Sequence, residues 1–127
     1  MKVLVAEDDL TLRQMVAIML STREIPCLLV EDGQGAVEAW ENGDYDLILM
    51  DVQMPAMNGL EATRIIREKE KVQGGHVPIV AMTAHARSED QEICRRAGMD
   101  DYISKPIDFD LFYALVERYG GDSASSG

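Results

Sequence analysis

The chain has 127 residues, 46% of them hydrophobic, which is enough for one domain with its own core and too few for two. Its 12 Lys and Arg against 23 Asp and Glu leave a net charge of −11, which opposes both a nucleic-acid footprint and docking on anionic lipid. No apolar run approaches the roughly 20 residues of a membrane span, no signal peptide opens the chain, and Cys27 and Cys94 show neither metal nor disulfide-scaffold spacing, so a reducing cytoplasm is the expected compartment.

Val3-Leu4-Val5-Ala6 reads as a first strand, and Leu12, Met15, Val16, Met19 and Leu20 then recur at helical spacing. Cys27-Leu28-Leu29-Val30 reads as a second strand, followed by the stripe Ala36, Val37 and Trp40. Leu47-Ile48-Leu49-Met50 is the third, followed by Leu60, Ile65 and Ile66; Ile79-Val80-Ala81-Met82 is the fourth. A fourth helix is expected to open on the capping pair Ser88 and Gln91 and to stop at Gly98. Its stripe is poor, with only Ile93, Cys94 and Ala97 apolar, so it should be loosely anchored. Tyr102-Ile103-Ser104 is a weaker fifth strand. Phe112, Leu115, Val116 and Tyr119 form a last helix, stopped by Gly120-Gly121.

The first four strands read as apolar throughout rather than alternating, the pattern of strands buried on both faces by helices. The βα units therefore predict a single doubly wound α/β domain with a parallel five-stranded sheet and right-handed crossovers. Residues 1–120 form the expected domain; 121–127, of linker composition, are expected to be a flexible tail or a cloning remnant. Met1 abuts the first strand as a native start would.

Open parallel sheets bind ligands at the carboxyl ends of their strands. Those ends here carry Glu7-Asp8-Asp9 after the first strand, Asp51 after the third, Thr83-Ala84 after the fourth and Lys105-Pro106 after the fifth. Each residue alone has an ordinary structural explanation as a cap, a turn residue or a solvated side chain. Together they place acids, a hydroxyl and an ammonium on one rim. Two carboxylates about 4 Å apart repel by roughly 4 kcal/mol at an effective dielectric near 20, so a cation is expected among Glu7, Asp8 and Asp51. Oxygen-only ligands suit Mg²⁺, with Mn²⁺ as an alternative. Lys105 would meet a phosphate from the far side, Thr83 would offer a hydroxyl and Ala84 its amide. Asp51 is then the natural nucleophile, giving an aspartyl phosphate.

These residues carry a resemblance. Glu7-Asp8, Asp51 within Leu49-Met50-Asp51-Val52-Gln53-Met54-Pro55-Ala56-Met57-Asn58-Gly59, Met82-Thr83-Ala84 and Ser104-Lys105-Pro106, in that order at those strand ends, resemble a receiver domain of the bacterial two-component response-regulator family. Residues 2 to about 119 take part. Ala97 through Pro106, with Leu60-Glu61-Ala62-Thr63, is most similar to receivers of hybrid histidine kinases. The resemblance implies a flavodoxin-like strand order of 2-1-3-4-5. It implies that Asp51 accepts phosphate from a histidine kinase or histidine phosphotransfer domain. Glu7, Asp8, Asp51 and the Gln53 carbonyl would place the metal. Arg13 aligns Asp8 rather than Asp9 with the direct ligand, leaving Asp9 as a helix cap. A switch through Thr83 and Tyr102 would change the face formed by the fourth helix, fifth strand and fifth helix, through which a monomer or weak dimer would act. A cis Lys105-Pro106 bond is implied as well.

His76, in the loop Gly74-Gly75-His76, reads as a solvated histidine and not a phosphorylated one. His85 and Gln53, each two residues past a strand-end site residue, are expected to tune the lifetime of the phosphoaspartate. A different class also uses an aspartate nucleophile with Mg²⁺, the haloacid-dehalogenase-like phosphatases. Turnover there needs an acid two residues after the nucleophile, where this chain has Gln53. Nucleotide binding at the first βα turn would need a glycine-rich loop, and the turn here is Glu7-Asp8-Asp9-Leu10.

Overall fold

The computed structural model describes residues 1–84 and 87–121, so His85, Ala86 and the expected tail beyond Gly121 lie outside the described residues. The elements follow one another as β1 (Val3–Ala6), α1 (Leu10–Thr22), β2 (Cys27–Val30), α2 (Gly33–Glu41), β3 (Leu47–Asp51), α3 (Gly59–Gln73), β4 (Ile79–Thr83), α4 (Ser88–Ala97), β5 (Asp101–Ser104) and α5 (Phe109–Val116). All strand pairs are parallel, in the order β2-β1-β3-β4-β5. This is the expected doubly wound arrangement, and the reversal of winding lies between β1 and β3.

The pleat of each strand sends successive side chains to opposite faces, and the apolar runs fill both. Val3, Val5, Leu49, Val80 and Met82 meet Val16, Leu20, Phe112 and Val116 of α1 and α5. Leu4, Ala6, Ile48, Met50 and Ala81 meet Ala36, Ala62 and Ile66 of α2 and α3. β1, β3 and β4 are buried throughout. β2 departs from expectation. It lies at the edge, where the implied strand order puts it, but it is not buried on both faces: Leu28 is 42% exposed. An apolar run reads alike in a central and an edge strand, because periodicity does not report how many neighbours a strand has.

Most helix starts have a side-chain cap. Asp9 accepts the Leu12 N–H, Asp32 the Gly35 N–H and Asp108 the Leu111 N–H, while Asn58 and Glu61 form a reciprocal capping box. The expected Ser88–Gln91 capping pair is not formed. Arg87 holds the cap position of α4 without a side-chain cap bond, and Ser88 is already the first helical residue. Only Cys94 and Ala97 of α4 are buried, and Ile93 is exposed, so α4 is even more lightly seated than its sequence suggests. Gly98 ends it in the left-handed conformation, as predicted, at φ 110°. α5 ends at Val116 and passes into a single π turn, Glu117–Gly121, that holds Tyr119; its hydroxyl donates to Asp101 Oδ2 at 3.2 Å.

His76 is not merely solvated. Its Nε2 lies 2.7 Å from Asp100 Oδ1, while Asp100 Oδ2 accepts from the Ile79 N–H and from Arg67. These bonds tie the loop after α4 to α3 and the start of β4. Among the described residues, no helix is long and apolar enough to cross a membrane.

Candidate functional site

The carboxyl ends of β1, β3, β4 and β5 open onto one cleft of about 550 Å³, lined by Glu7, Asp8, Asp51, Gln53, Thr83, Ala84 and Lys105 together with parts of the β1–α1 and β3–α3 turns. The fold brings these groups together by register. Asp51 pairs with Met82, and Thr83 with Ser104, so each functional residue falls at or just past the end of its ladder. Two further bonds tie adjacent turns to β4: Val52 N–H donates to the Met82 carbonyl, and Lys105 N–H to the Thr83 carbonyl. The Lys105–Pro106 bond is cis, as the resemblance implied.

The β1–α1 turn is held by Arg13, whose Nη1 donates to the Glu7 carbonyl at 2.8 Å and reaches the Asp8 carbonyl at 3.4 Å. Asp9 caps α1, and the gathered carboxylates are those of Glu7, Asp8 and Asp51 although Asp9 also borders the cleft. Its backbone N–H donates to Glu7 Oε2 at 3.0 Å. One carboxylate oxygen of each of Glu7, Asp8 and Asp51 lies within 4.8 Å of the others. Glu7 and Asp51 are buried, whereas Asp8 is exposed.

Lys105 follows β5 and lines the same cleft. Its ammonium lies between the acids, 3.0 Å from Glu7 Oε1 and 3.1 Å from Asp51 Oδ1. Burial works against its charge, but Glu7 and Asp51 together outweigh burial and push Lys105 above the usual lysine range. The ion pair to Lys105 is the partner of the buried Glu7 Oε1. Three gathered carboxylates, with no histidine or cysteine among them and a single ammonium to balance them, are the environment of a hard cation.

Glu7 shows the cost of this crowding. Desolvation, with Asp51 adding to it, pushes its carboxyl from 4.5 up to about 7, although the Asp9 N–H and Lys105 pull the other way. A carboxyl raised on folding binds its proton more tightly in the folded state. The resulting stability is present below about pH 4.5 and is lost as pH rises through about 7. Metal-free protein in EDTA should lose roughly 2 kcal/mol between pH 5 and 8 from this group, allowing for solvent screening through the open cleft. The expected result is that this loss, measured by urea unfolding, is absent in Glu7→Gln.

Of the other sequence-predicted residues, Thr83 is buried in the cleft wall and Ala84 lies beside it. Gln53 lines the cleft, and its N–H donates to Asp51 Oδ1 at 3.3 Å. Tyr102 does not line the cleft and is 37% exposed on β5. His85 lies outside the described residues. One contact escaped the sequence reading: Gly33 N–H, at the start of α2, donates to the Met57 carbonyl in the β3–α3 loop at 2.9 Å. Asp32-Gly33 before a helical stripe was its only local signal, and nothing in it names the loop as partner.

The model of the response regulator receiver domain matches residues 3–117. The chain belongs to this family. The receiver is 42% identical over 120 residues to hybrid signal transduction histidine kinase I of Dictyostelium discoideum, covering 91% of this chain and 7% of that protein. It is 42% identical over 122 residues to the sensor protein GacS of Pseudomonas syringae pv. syringae, covering 94% of this chain and 13% of that protein. It thus spans only a small part of these curated relatives. Among solved structures, it is similar to the receiver domain of sensor histidine kinase PA1611 from Pseudomonas aeruginosa PAO1, which has a magnesium ion coordinated in its active-site cleft. That likeness has a TM-score of 0.85 at 38% identity and covers 94% of this chain and 97% of that one. It is similar, too, to a chain from the co-crystal structure of the Saccharomyces cerevisiae phosphotransfer protein Ypd1 with the receiver domain of Ssk1. There the TM-score is 0.93 at 31% identity, covering 98% of this chain and 91% of that one.

Proposed function

We propose that this receiver, residues 1–120, is the phosphoacceptor of a phosphorelay, with Asp51 taking a phosphoryl group from a phosphohistidine. The observation that carries this reading is the buried Asp51 carboxylate with the Lys105 ammonium 3.1 Å away, in a cleft also lined by Thr83 and Ala84. An Asp51 oxygen forms a bond to phosphorus as the P–N bond of the phosphohistidine breaks, and that electron pair returns to the imidazole. Lys105, the Ala84 amide and the Thr83 hydroxyl face the phosphoryl oxygens, where charge is spread during transfer.

The residues present fit Mg²⁺, with Mn²⁺ as an alternative. Glu7, Asp8, Asp51 and the Gln53 carbonyl would hold the ion, and the closeness of the three carboxylates, all oxygen donors, supports the fit. The ion supplies positive charge to the transferring group. Lacking an acid at Gln53, the site should hold its acyl phosphate rather than turn it over. Gln53 and His85 are assigned the tuning of its lifetime.

Once Asp51 carries phosphate, its new acceptor oxygens draw the Thr83 hydroxyl, and Tyr102 follows into the space released. The lightly seated α4 then makes the α4–β5–α5 face the readout, used as a monomer or a weak dimer. The donor is a histidine kinase or a histidine phosphotransfer domain in the cytoplasm. The hybrid-kinase relatives and the receiver seen with Ypd1 support a relay role.

Incubation with acetyl phosphate and Mg²⁺, read by intact mass spectrometry, should add one phosphoryl group. In EDTA it should add none. Steady release of phosphate without an adduct would overturn the reading in favour of the phosphatase chemistry.

A further inference from the structure

We infer that Gly33 is a positioning residue for the cleft, acting through the β3–α3 loop and not by touching the reacting groups. The loop runs from Val52 to Asn58 and carries Gln53, so its seating decides where the Gln53 carbonyl stands relative to Asp8 and Asp51. Within its own unit it is closed by the Gly59 N–H on the Val52 carbonyl and by the Met57 N–H on the Pro55 carbonyl, with Ala56 at φ 64°. Among the described backbone hydrogen bonds, the one from Gly33 ties this loop to α2.

Gly33 is the first residue of α2, and its N–H is one of the donors a helix leaves without an intrahelical partner. The Met57 carbonyl takes that donor and lies at the positive end of the helix. The approach leaves no room for a side chain. A Cβ at Gly33 would fall 2.3 Å from the Met57 oxygen and 3.0 Å from the Asn58 oxygen. Both obstacles are backbone, so no rotamer change relieves them, and any substitution must push the loop or α2 aside. Gly35, on the same helix turn, differs. Its Cβ would meet only side chains, Asp32 Oδ1 at 3.2 Å and Val30 Cβ at 3.3 Å. Gly33 therefore couples α2 to the metal-holding loop through a close backbone approach.

This role depends on Glu7, Asp8, Asp51 and the Gln53 carbonyl holding the metal, as proposed above. Mg²⁺ affinity is measured by calorimetry for wild type, Gly33→Ala and Gly35→Ala, with circular dichroism confirming folding. Gly33→Ala should bind Mg²⁺ at least tenfold more weakly, and Gly35→Ala within twofold of wild type. Coupling between sites is reciprocal, so Mg²⁺ should also slow exchange of the Gly33 amide in wild type severalfold, read by NMR. A folded Gly33→Ala that binds Mg²⁺ within twofold of wild type would overturn the role. Should Gly33→Ala not fold, an unchanged Gly33 exchange rate in wild type overturns it equally. Wild type that takes up no Mg²⁺ overturns the metal reading and this role with it.

Discussion

Asp51→Asn should take up no phosphoryl group from acetyl phosphate while becoming more stable in the metal-free state. The loss is complete because an amide oxygen is a poor nucleophile and no other carboxylate occupies its place at the end of β3. Asp8 is exposed and belongs to the turn after β1, and Glu7 is held by the Asp9 N–H and Lys105. The gain comes from electrostatics. Glu7 and Asp51 oxygens lie within 4.8 Å, a repulsion of roughly 3 kcal/mol at an effective dielectric near 20 before Lys105 offsets part of it. Removing one charge should raise stability at pH 8 by about 1–2 kcal/mol in EDTA and lower the Glu7 pKa, since Asp51 is one of the groups that raise it. Chemical denaturation and an NMR titration of Glu7 check both. An Asp51→Asn protein that still acquires a phosphoryl group would remove Asp51 from the phosphoacceptor role.

Lys105→Ala should have the opposite effect on stability and a large effect on transfer. Its ammonium lies 3.0 Å from Glu7 and 3.1 Å from Asp51, so truncation leaves two buried carboxylates facing each other. The side chain is 23% exposed, which tempers the cost of breaking a buried pair to about 2 kcal/mol at pH 8. Glu7 should titrate higher still, because Lys105 is one of the groups that pull it down. Transfer to Asp51 should slow about 100-fold, the usual effect of removing one group that stabilises developing charge. Rapid-quench phosphorylation with acetyl phosphate checks the rate. Unchanged transfer in a folded Lys105→Ala would exclude this ammonium from the phosphoryl oxygens.

The two substitutions move stability in opposite directions for one reason. The cleft gathers more negative charge than folding alone favours, and Lys105 offsets part of it. Such a site is stabilised by what enters it, which suits a domain whose state is to be set by a metal and a phosphoryl group.

Much of this was legible in the chain. Unbroken apolar runs such as Leu47-Ile48-Leu49-Met50 need cover on both faces, and only helices from the intervening segments can supply it. Acids and a lysine immediately past those runs then land on one rim, because parallel strands all end on the same side. Helix ends were less legible. Asp9, Asp32, Asn58 and Asp108 act as caps, yet Ser88 does not, since it is already helical and the extended Arg87 is the residue before the helix.

The order of residues by itself determined which segments are strands, which ends carry the acids, and which motifs join Asp51 to Thr83 and Lys105, because periodicity and strand termini are local properties. The tertiary structure alone decided that Lys105 stands between Glu7 and Asp51, that Glu7 is fully buried, that Leu28 faces solvent and that Gly33 touches Met57. Each of these depends on distances between segments far apart in the chain, and those distances are set by sheet order and packing of the helices on the sheet, which no local pattern encodes.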